Sequence, residues 1–226
     1  MAKKSNKTED QFIQVEEALS KTEQYIEKNQ KMIVQIVAVI IAIIALFLGF
    51  KKFYIEPMEI DAKAEMYMAE LYFEKDSFNL ALNGDGQYFG FLDIADEYSL
   101  TKQGKLAKYY AGISYLHLSQ YENAIDYLED FSSDDILLSS FALGCIGDAY
   151  MEMNDLDNAL KYYNKASNNS DNKLTTPRYL FKQALIHEIN KNYTEALEIY
   201  NVIKDKYKTS SEGNGIEKYI SRAENR

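Results

Sequence analysis

Apolar residues are distributed along the chain in two ways, first as one continuous run and then as a periodic pattern. The run covers residues 32–50, MIVQIVAVIIAIIALFLGF, where Gln35 is the one strongly polar residue. A helix of these 19 residues is about 28 Å long, close to the hydrocarbon thickness of a bilayer. The run begins too late for a signal peptide and ends in two lysines without a small-residue cleavage site. We therefore predict a retained transmembrane helix over residues 32–50.

The segment before this run, residues 1–31, is charged and weakly amphipathic. Apolar side chains in this segment and at the start of the run follow a seven-residue register with polar interruptions, at Phe12, Val15, Leu19, Ile26 and Ile33. This pattern predicts an N-terminal tail with an amphipathic helix that can lie on the bilayer, pair with another helix or remain a solvated leader. Lysines are balanced on the two sides of the run, so the positive-inside rule leaves both orientations open.

From residue 60 onward, apolar and aromatic residues recur at helical spacing, and the pattern itself repeats. Each unit has a small residue, then an aromatic residue or His three positions later, and an Ala twelve positions after the first. The four sets are Ala69, Tyr72 and Ala81; Gly112, Tyr115 and Ala124; Gly147, Tyr150 and Ala159; and Ala184, His187 and Ala196. Successive sets are offset by 43, 35 and 37 residues. Such a pattern predicts an all-α fold of stacked helical hairpins.

These positions resemble the tetratricopeptide repeat (TPR), a helical hairpin of about 34 residues. The segment GDAYMEMNDLDNALKYYNKA, residues 147–166, matches it best. The resemblance implies four TPR-like repeats over residues 60–208, after a juxtamembrane linker at residues 51–59. Residues 209–226 are predicted to form a C-terminal capping helix, because a stack of repeats needs its open end covered.

The first offset is longer than the others because it contains a glycine-rich segment, NGDGQYFGFLDIADEY. We predict an insertion here, at about residues 83–104. A calcium loop would need acids at alternate positions and a closing Glu, and a phosphate loop would need a following Lys-Ser or Lys-Thr. The segment has neither pattern. We instead predict an elbow with glycines at positive φ, followed by a short helix. Its predicted anchors are Phe89, Phe91, Leu92 and Tyr98.

Charge and candidate chemistry change this picture mainly by exclusion. Residues from 53 onward hold 17 basic and 29 acidic side chains, a balance of −12, so we predict that the protein binds no nucleic acid. His117 and His187 lack partners at metal-ligand spacing, and Cys145 is predicted to be a small buried thiol. No common catalytic motif is present in the sequence. We therefore predict a protein that is not an enzyme and has no cofactor or metal.

The first helix of each TPR pair lines the inner face of the array, so the resemblance implies a protein-binding groove on these helices. Carried over to this chain, the groove positions are Tyr109, Ile113, Leu116, Phe141, Asp148, Met151, Arg178 and Phe181. This mixture of aromatic, aliphatic and charged residues suits an extended or helical peptide. It equally suits contacts with the next repeat or with the terminal helix, and both interpretations stay open.

The order of a short charged tail, one span and an acidic repeat region is similar to that of the bacterial YfgM-type ancillary subunits of the Sec translocon. The run ALNGDGQYFGFLDIADEYSLTKQGKLAKYYAGISYL is similar to the region that joins the first two repeats in their Bacteroidetes relatives. This resemblance implies a single-pass protein of the bacterial inner membrane, with a cytoplasmic N-terminus and a periplasmic TPR domain.

The same resemblance implies a chaperone-like role in protein transport. The partners would be Sec translocon subunits, a membrane-anchored peptidyl-prolyl isomerase and exported polypeptides, beside the lipid bilayer that holds the anchor. The alternative is a generic inner-membrane TPR adaptor for cell-envelope assembly or stress signalling.

Overall fold

The computed structural model describes the backbone of residues 5–226 and the side chains of Glu23 and of residues 25–226. Within this part of the chain every regular element is a helix, which confirms the all-α prediction. The elements are α1 Ser5–Phe50, a π-helical segment Lys51–Ile55, α2 Glu56–Glu74, α3 Phe78–Asn83, α4 Phe91–Glu97, α5 Lys102–His117, α6 Tyr121–Glu129, α7 Ile136–Glu152, α8 Leu156–Asn168, α9 Thr176–Ile189, α10 Tyr193–Lys206 and α11 Glu217–Glu224. The chain divides into two units, one ending at Glu56 and one from Pro57 to Arg226.

The first unit contains the apolar run on α1. Its described apolar side chains are exposed except that of Ile33, which is half-buried. Among the described residues this is the one helix long and apolar enough to cross a membrane. The predicted amphipathic positions Phe12, Val15 and Leu19 lie outside the described side chains. Residues 51–59, predicted as a linker, are helical throughout.

The second unit is a TPR helical repeat region in which α5 pairs with α6, α7 with α8 and α9 with α10. The small residues of the sequence pattern lie where paired helices approach. A Cβ added at Gly112 would lie 2.5 Å from Leu128 Cγ, and one at Gly147 would lie 2.5 Å from Tyr163 Cε1. The four alanines that close each pattern are fully buried: Ala81, Ala124, Ala159 and Ala196. Close helix approach therefore explains why the sequence repeats small residues at these places.

The turns that follow α2, α5, α7 and α9 share one geometry. Four non-glycine residues, Asp76, Ser119, Asn154 and Lys191, have φ between 54° and 61°. The amide that follows each of them donates to a carbonyl five residues earlier in the chain, as Gln120 N does to Tyr115 O at 2.9 Å. This left-handed helix ending satisfies carbonyls that the first helix leaves free and reverses the chain into the second helix.

The glycine-rich segment is a turn between α3 and α4. Gly84 and Gly86 have φ of 73° and 87°. The Asp85 carboxylate accepts hydrogen bonds from the Tyr72 hydroxyl at 2.7 Å and from two backbone amides of the turn. Its acceptor capacity is therefore used within the fold, as expected for an elbow and not for a calcium loop.

The short helix after this turn is α4. Phe91 is fully buried, and Leu92 and Tyr98 contact the same apolar cluster, as predicted for anchors. The prediction for Phe89 is wrong, because this side chain is exposed. It precedes the first residue of α4 and lies on the turn, where no helix face directs it into the core.

At the other end of the repeats, α11 covers α10. Ile216, Ile220 and Ala223 are buried in one cluster with Tyr200 and Ile203 of α10. This contact covers apolar surface that the last hairpin would otherwise expose, which is the usual role of a terminal helix in a stacked repeat.

Candidate protein-binding groove

The first helices of the last three hairpins, α5, α7 and α9, share an open groove of about 620 Å³, which we call the first-helix groove. Its lining residues are Leu116, His117, Tyr121, Asp148, Met151, Glu152, Tyr163, Lys182 and Leu185. α5 and α7 contribute residues in or next to their last turn, and α9 contributes its middle, since Lys182 and Leu185 are the seventh and tenth of its 14 residues. The groove therefore runs across the first helices of three successive repeats.

Helical spacing brings the lining residues to one side of each helix. Asp148, Met151 and Glu152 are three and four positions apart on α7, and Lys182 and Leu185 are three apart on α9. The small residue Gly147 lies next to Asp148 and lets α8 come close to α7. That approach brings the Tyr163 side chain of α8 beside the groove.

A cluster of one acid, one amine and one phenol lies among the apolar lining residues. Asp148 Oδ1 accepts hydrogen bonds from Lys182 Nζ and from the Tyr163 hydroxyl, both at 2.5 Å. Burial raises the pKa of Tyr163, and the neighbouring Asp148 carboxylate raises it further. The phenol therefore stays protonated and remains a hydrogen-bond donor. About a third of the Asp148 and Lys182 side chains stays exposed, so both are accessible to a ligand.

Three of the eight predicted groove residues line the groove: Leu116, Asp148 and Met151. The structure places the other five, Tyr109, Ile113, Phe141, Arg178 and Phe181, outside the groove lining. Two of these five pack against aromatic residues elsewhere in the fold. Tyr109 packs against Phe131, with ring centroids 5.3 Å apart, and Phe181 meets Tyr219 of α11 edge to face at 4.7 Å. The sequence left open whether these positions bind a peptide or pack within the fold, and both side chains pack within the fold.

Phe141 and Arg178 contact each other away from the groove. The Arg178 guanidinium lies 5.6 Å from the centroid of the Phe141 ring, and its Nε is 3.9 Å from Glu212 Oε1. Ile113 is half-buried on α5. These residues lie on the first helices, as predicted, but on parts of them that do not reach the groove.

Six lining residues were not among the predicted positions: His117, Tyr121, Glu152, Tyr163, Lys182 and Leu185. The repeat register contains a signal for one of them. Lys182 lies two positions before the small residue of its repeat and Asp148 one position after the small residue of the preceding repeat. An acid and a base at these two places of adjacent repeats predict an ion pair between neighbouring first helices.

Cys145 and His187, the cysteine and one of the two histidines considered as candidates for chemistry, lie in surroundings that do not indicate a reactive site. Burial raises the pKa of the Cys145 thiol to about 12, so the thiol is protonated at neutral pH. Nδ1 of His187 is buried without a hydrogen-bond partner among the described residues. Among the described residues, no three or more His, Cys, Asp or Glu side chains are placed together for a metal ion.

Comparison with protein-family models supports the repeat assignment. Two tetratricopeptide repeat models match the chain, one over residues 146–211 and one over residues 106–134. All residues that line the first-helix groove fall inside these two ranges. A comparison with curated proteins finds no match. TPR regions bind other proteins and are typically non-enzymatic scaffolds, and no catalytic family is indicated for this chain.

Proposed function

We propose that this protein is a non-enzymatic, single-pass membrane protein that binds segments of other polypeptides in the first-helix groove. The observation that carries this proposal is the groove itself, which runs across three successive repeats inside the TPR-matching ranges. Its volume of about 620 Å³ lies within the range of ~300–1,000 Å³ usual for ligand sites. It therefore suits a few side chains of an extended or helical segment better than the face of a folded domain.

The lining chemistry supports the same ligand class. Leu116, Met151 and Leu185 offer apolar contacts, and methionine adapts to side chains of different shape. Asp148 and Lys182 offer an acceptor and a donor to a polypeptide backbone, whose amides and carbonyls must find partners when they leave water. A groove of this kind binds by apolar contact and backbone hydrogen bonds and has low sequence selectivity.

The proposed setting is the bacterial inner membrane, with the N-terminus in the cytoplasm and the repeat region in the periplasm. There the protein acts as a chaperone-like ancillary factor beside Sec translocon subunits and a membrane-anchored peptidyl-prolyl isomerase. Its clients are exported polypeptides, which are unfolded when they emerge and so expose the mixed segments that the groove suits. The resemblance to YfgM-type subunits and the apolar helix α1 support this setting.

A photo-crosslinking amino acid introduced into the full chain tests the groove. We place it at Met151 and, as a matched control, at the exposed Lys161 on the second helix α8. We expect exported polypeptides to crosslink at Met151 and not at Lys161, because only Met151 lines the groove. Equal crosslinking at both positions would contradict groove binding. A single stoichiometric folded partner at Met151 would instead favour the adaptor alternative.

Topology is tested separately by protease digestion of cells with a permeabilised outer membrane. Digestion of the repeat region with protection of the N-terminal tail is the expected result. Protection of the repeat region would place it in the cytoplasm and exclude a role on exported polypeptides.

A further inference from the structure

Exposed aliphatic residues occur where three of the first helices, α5, α7 and α9, begin. Leu100 precedes the N-cap residue of α5, Ile136 and Leu137 open α7, and Leu174 precedes the N-cap residue of α9. Their side chains are 58, 55, 40 and 49% exposed, respectively. We call these four residues the start edge. Loops at such places are usually polar because they face water, so a repeated aliphatic residue indicates a contact.

Hydrogen bonds and packing show that these helix starts lie side by side. Glu59 Oε2 in the first turn of α2 accepts from Lys102 N, the first amide of α5, at 2.7 Å. The first turns of α5 and α7 line one groove of about 450 Å³. Asn169 Nδ2, at the end of α8 before the loop to α9, donates to Ile136 O at 3.1 Å. The four residues of the start edge therefore belong to one side of the repeat region.

The fold itself does not cover these side chains. An apolar residue just before an N-cap often packs on the first turn of its own helix, which would bury it. Leu100 and Leu174 are about half exposed, so this contact is incomplete at both. The start edge is apolar surface left to a partner outside the chain.

Covalent connection limits how far this edge can be from a bilayer. The apolar run ends at Phe50 and the repeat unit begins at Pro57. The six residues between them extend about 9 Å as a helix and about 20 Å when fully extended. They include Lys51, Lys52, Phe53 and Tyr54, and basic and aromatic residues of this kind are typical of a membrane–water interface. The start of α2, and with it the start of α5 that Glu59 contacts, therefore stays within reach of any membrane that α1 spans.

Charge favours lipid contact at this edge over other parts of the repeat region. The loops and first turns that carry the start edge hold four basic residues, Lys102, Lys105, Lys173 and Arg178, and four acidic ones, Asp130, Asp134, Asp135 and Asp171. The chain from residue 53 onward has a balance of −12, so most of its surface is repelled by an anionic membrane. The start edge combines apolar side chains with no net charge.

We propose that the start edge rests on the bilayer, with Leu100, Ile136, Leu137 and Leu174 inserted at the boundary between head groups and acyl chains. This inference rests on the proposed membrane anchoring. It has a consequence for the groove, which is lined by later parts of the same helices. Met151 lies 15 positions after Ile136, about 22 Å along α7, and Lys182 lies six positions after Thr176, about 9 Å along α9. The first-helix groove is thereby held about 9–22 Å from the lipid and open to polypeptides.

The sequence contains no tryptophan, so one introduced tryptophan reports on its own surroundings. We compare the full-length variants Leu174→Trp and Ile189→Trp in phosphatidylcholine vesicles, with and without brominated acyl chains as quenchers. Ile189 is a matched control because it is 56% exposed and is the last residue of the same helix, α9. We expect at least about twofold stronger quenching and blue-shifted emission for Leu174→Trp, since interfacial insertion reaches ~5–10 Å into the boundary.

Equal quenching of the two variants would overturn the proposal, and so would water-like emission from both. Flotation of both variants with the vesicles after an alkaline wash tests membrane anchoring separately from the contact at the start edge. Loss of flotation would contradict membrane anchoring, whereas flotation with equal quenching would contradict only the contact at the start edge. Leu100→Trp gives a second, independent probe if Leu174→Trp fails to fold by circular dichroism, with the same outcomes expected.

Discussion

Substitution of Gly147 by alanine tests the close approach of α7 and α8. The added Cβ would lie 2.5 Å from Cε1 and 2.6 Å from Cδ1 of Tyr163, closer than carbon atoms can approach. The Tyr163 ring cannot easily move away. It stacks on Tyr179 with a centroid distance of 6.1 Å, and its hydroxyl donates to Asp148. The helices must therefore separate or the ring must leave its position.

Two opposing contributions decide the size of the effect. Overpacking a well-packed site costs about 1–3 kcal/mol. Replacing glycine by alanine inside a helix contributes about 1 kcal/mol in the other direction, because alanine loses less backbone entropy on folding. We expect a net loss of up to about 2 kcal/mol in the free energy of unfolding. For a unit of this size this corresponds to a decrease in Tm of about 2–4 °C per kcal/mol.

Thermal and urea unfolding of the full chain in detergent, followed by circular dichroism, measures this loss. The control is a double-mutant cycle with Tyr163→Leu, which removes the ring atoms that the new methyl group meets. We expect Gly147→Ala to cost less in the Tyr163→Leu background than in the wild type. An unchanged or raised Tm for Gly147→Ala alone would refute the claim that helix approach requires glycine here.

Three further predictions concern the turn, the groove and the thiol. Lys191→Gly should stabilise the protein by up to about 1 kcal/mol in urea unfolding, because glycine adopts positive φ without the steric cost that Lys191 bears. The control Lys161→Gly, within α8, should destabilise the protein by about 1 kcal/mol, and a loss of stability for both variants would contradict the turn geometry. The double variant Asp148→Asn, Lys182→Met should keep its Tm within a few degrees, because a partly exposed ion pair contributes only about 0–1 kcal/mol. The same variant should lose crosslinking of polypeptides to position 151 in the groove, and undiminished crosslinking would show that this pair is not part of the binding surface. Cys145 should resist a maleimide near neutral pH until urea unfolds the chain, and the free energy of unfolding should fall as the pH rises from about 9 toward about 12, because the thiol of the unfolded chain ionises first. Urea unfolding of the wild type and of Cys145→Ser across that pH range measures the contribution of the thiol, and an identical pH dependence of the two would contradict it.

The sequence predicts the helices and the approach between them because both depend on local pattern. A continuous apolar run specifies a helix that is apolar on every side, and small residues at a repeating interval specify where two helices touch. Gly112 and Gly147 show this directly, since the structure leaves no room for a Cβ at either. The four turns are predictable as polar breaks, but their shared positive φ is not evident from residues as different as Asp76 and Lys191.

The groove is only partly predictable because its lining depends on where each helix ends and on what covers its remaining length. Repeat register identifies the first helices, and this is enough for Leu116 and Met151 near helix ends. Register does not reveal that Phe131, in the loop after α6, packs on Tyr109 or that Tyr219 of α11 packs on Phe181. Both contacts come from segments outside the repeated pattern. Local periodicity alone therefore assigns covered aromatic residues to the groove.

The first helices of this protein have different surroundings at their two ends, and this difference links the two proposals. The starts of α5, α7 and α9 present uncovered aliphatic residues with balanced charge nearby, and later parts of the same helices line a groove with an acid, an amine and apolar side chains. If the groove were instead beside the lipid, Asp148 and Lys182 would face a surface that disfavours exposed charge. Placing the start edge at the membrane leaves these charges in water, where they can hydrogen-bond to an arriving polypeptide. The same helix lengths that separate the two ends would then set the distance between the membrane and a bound segment.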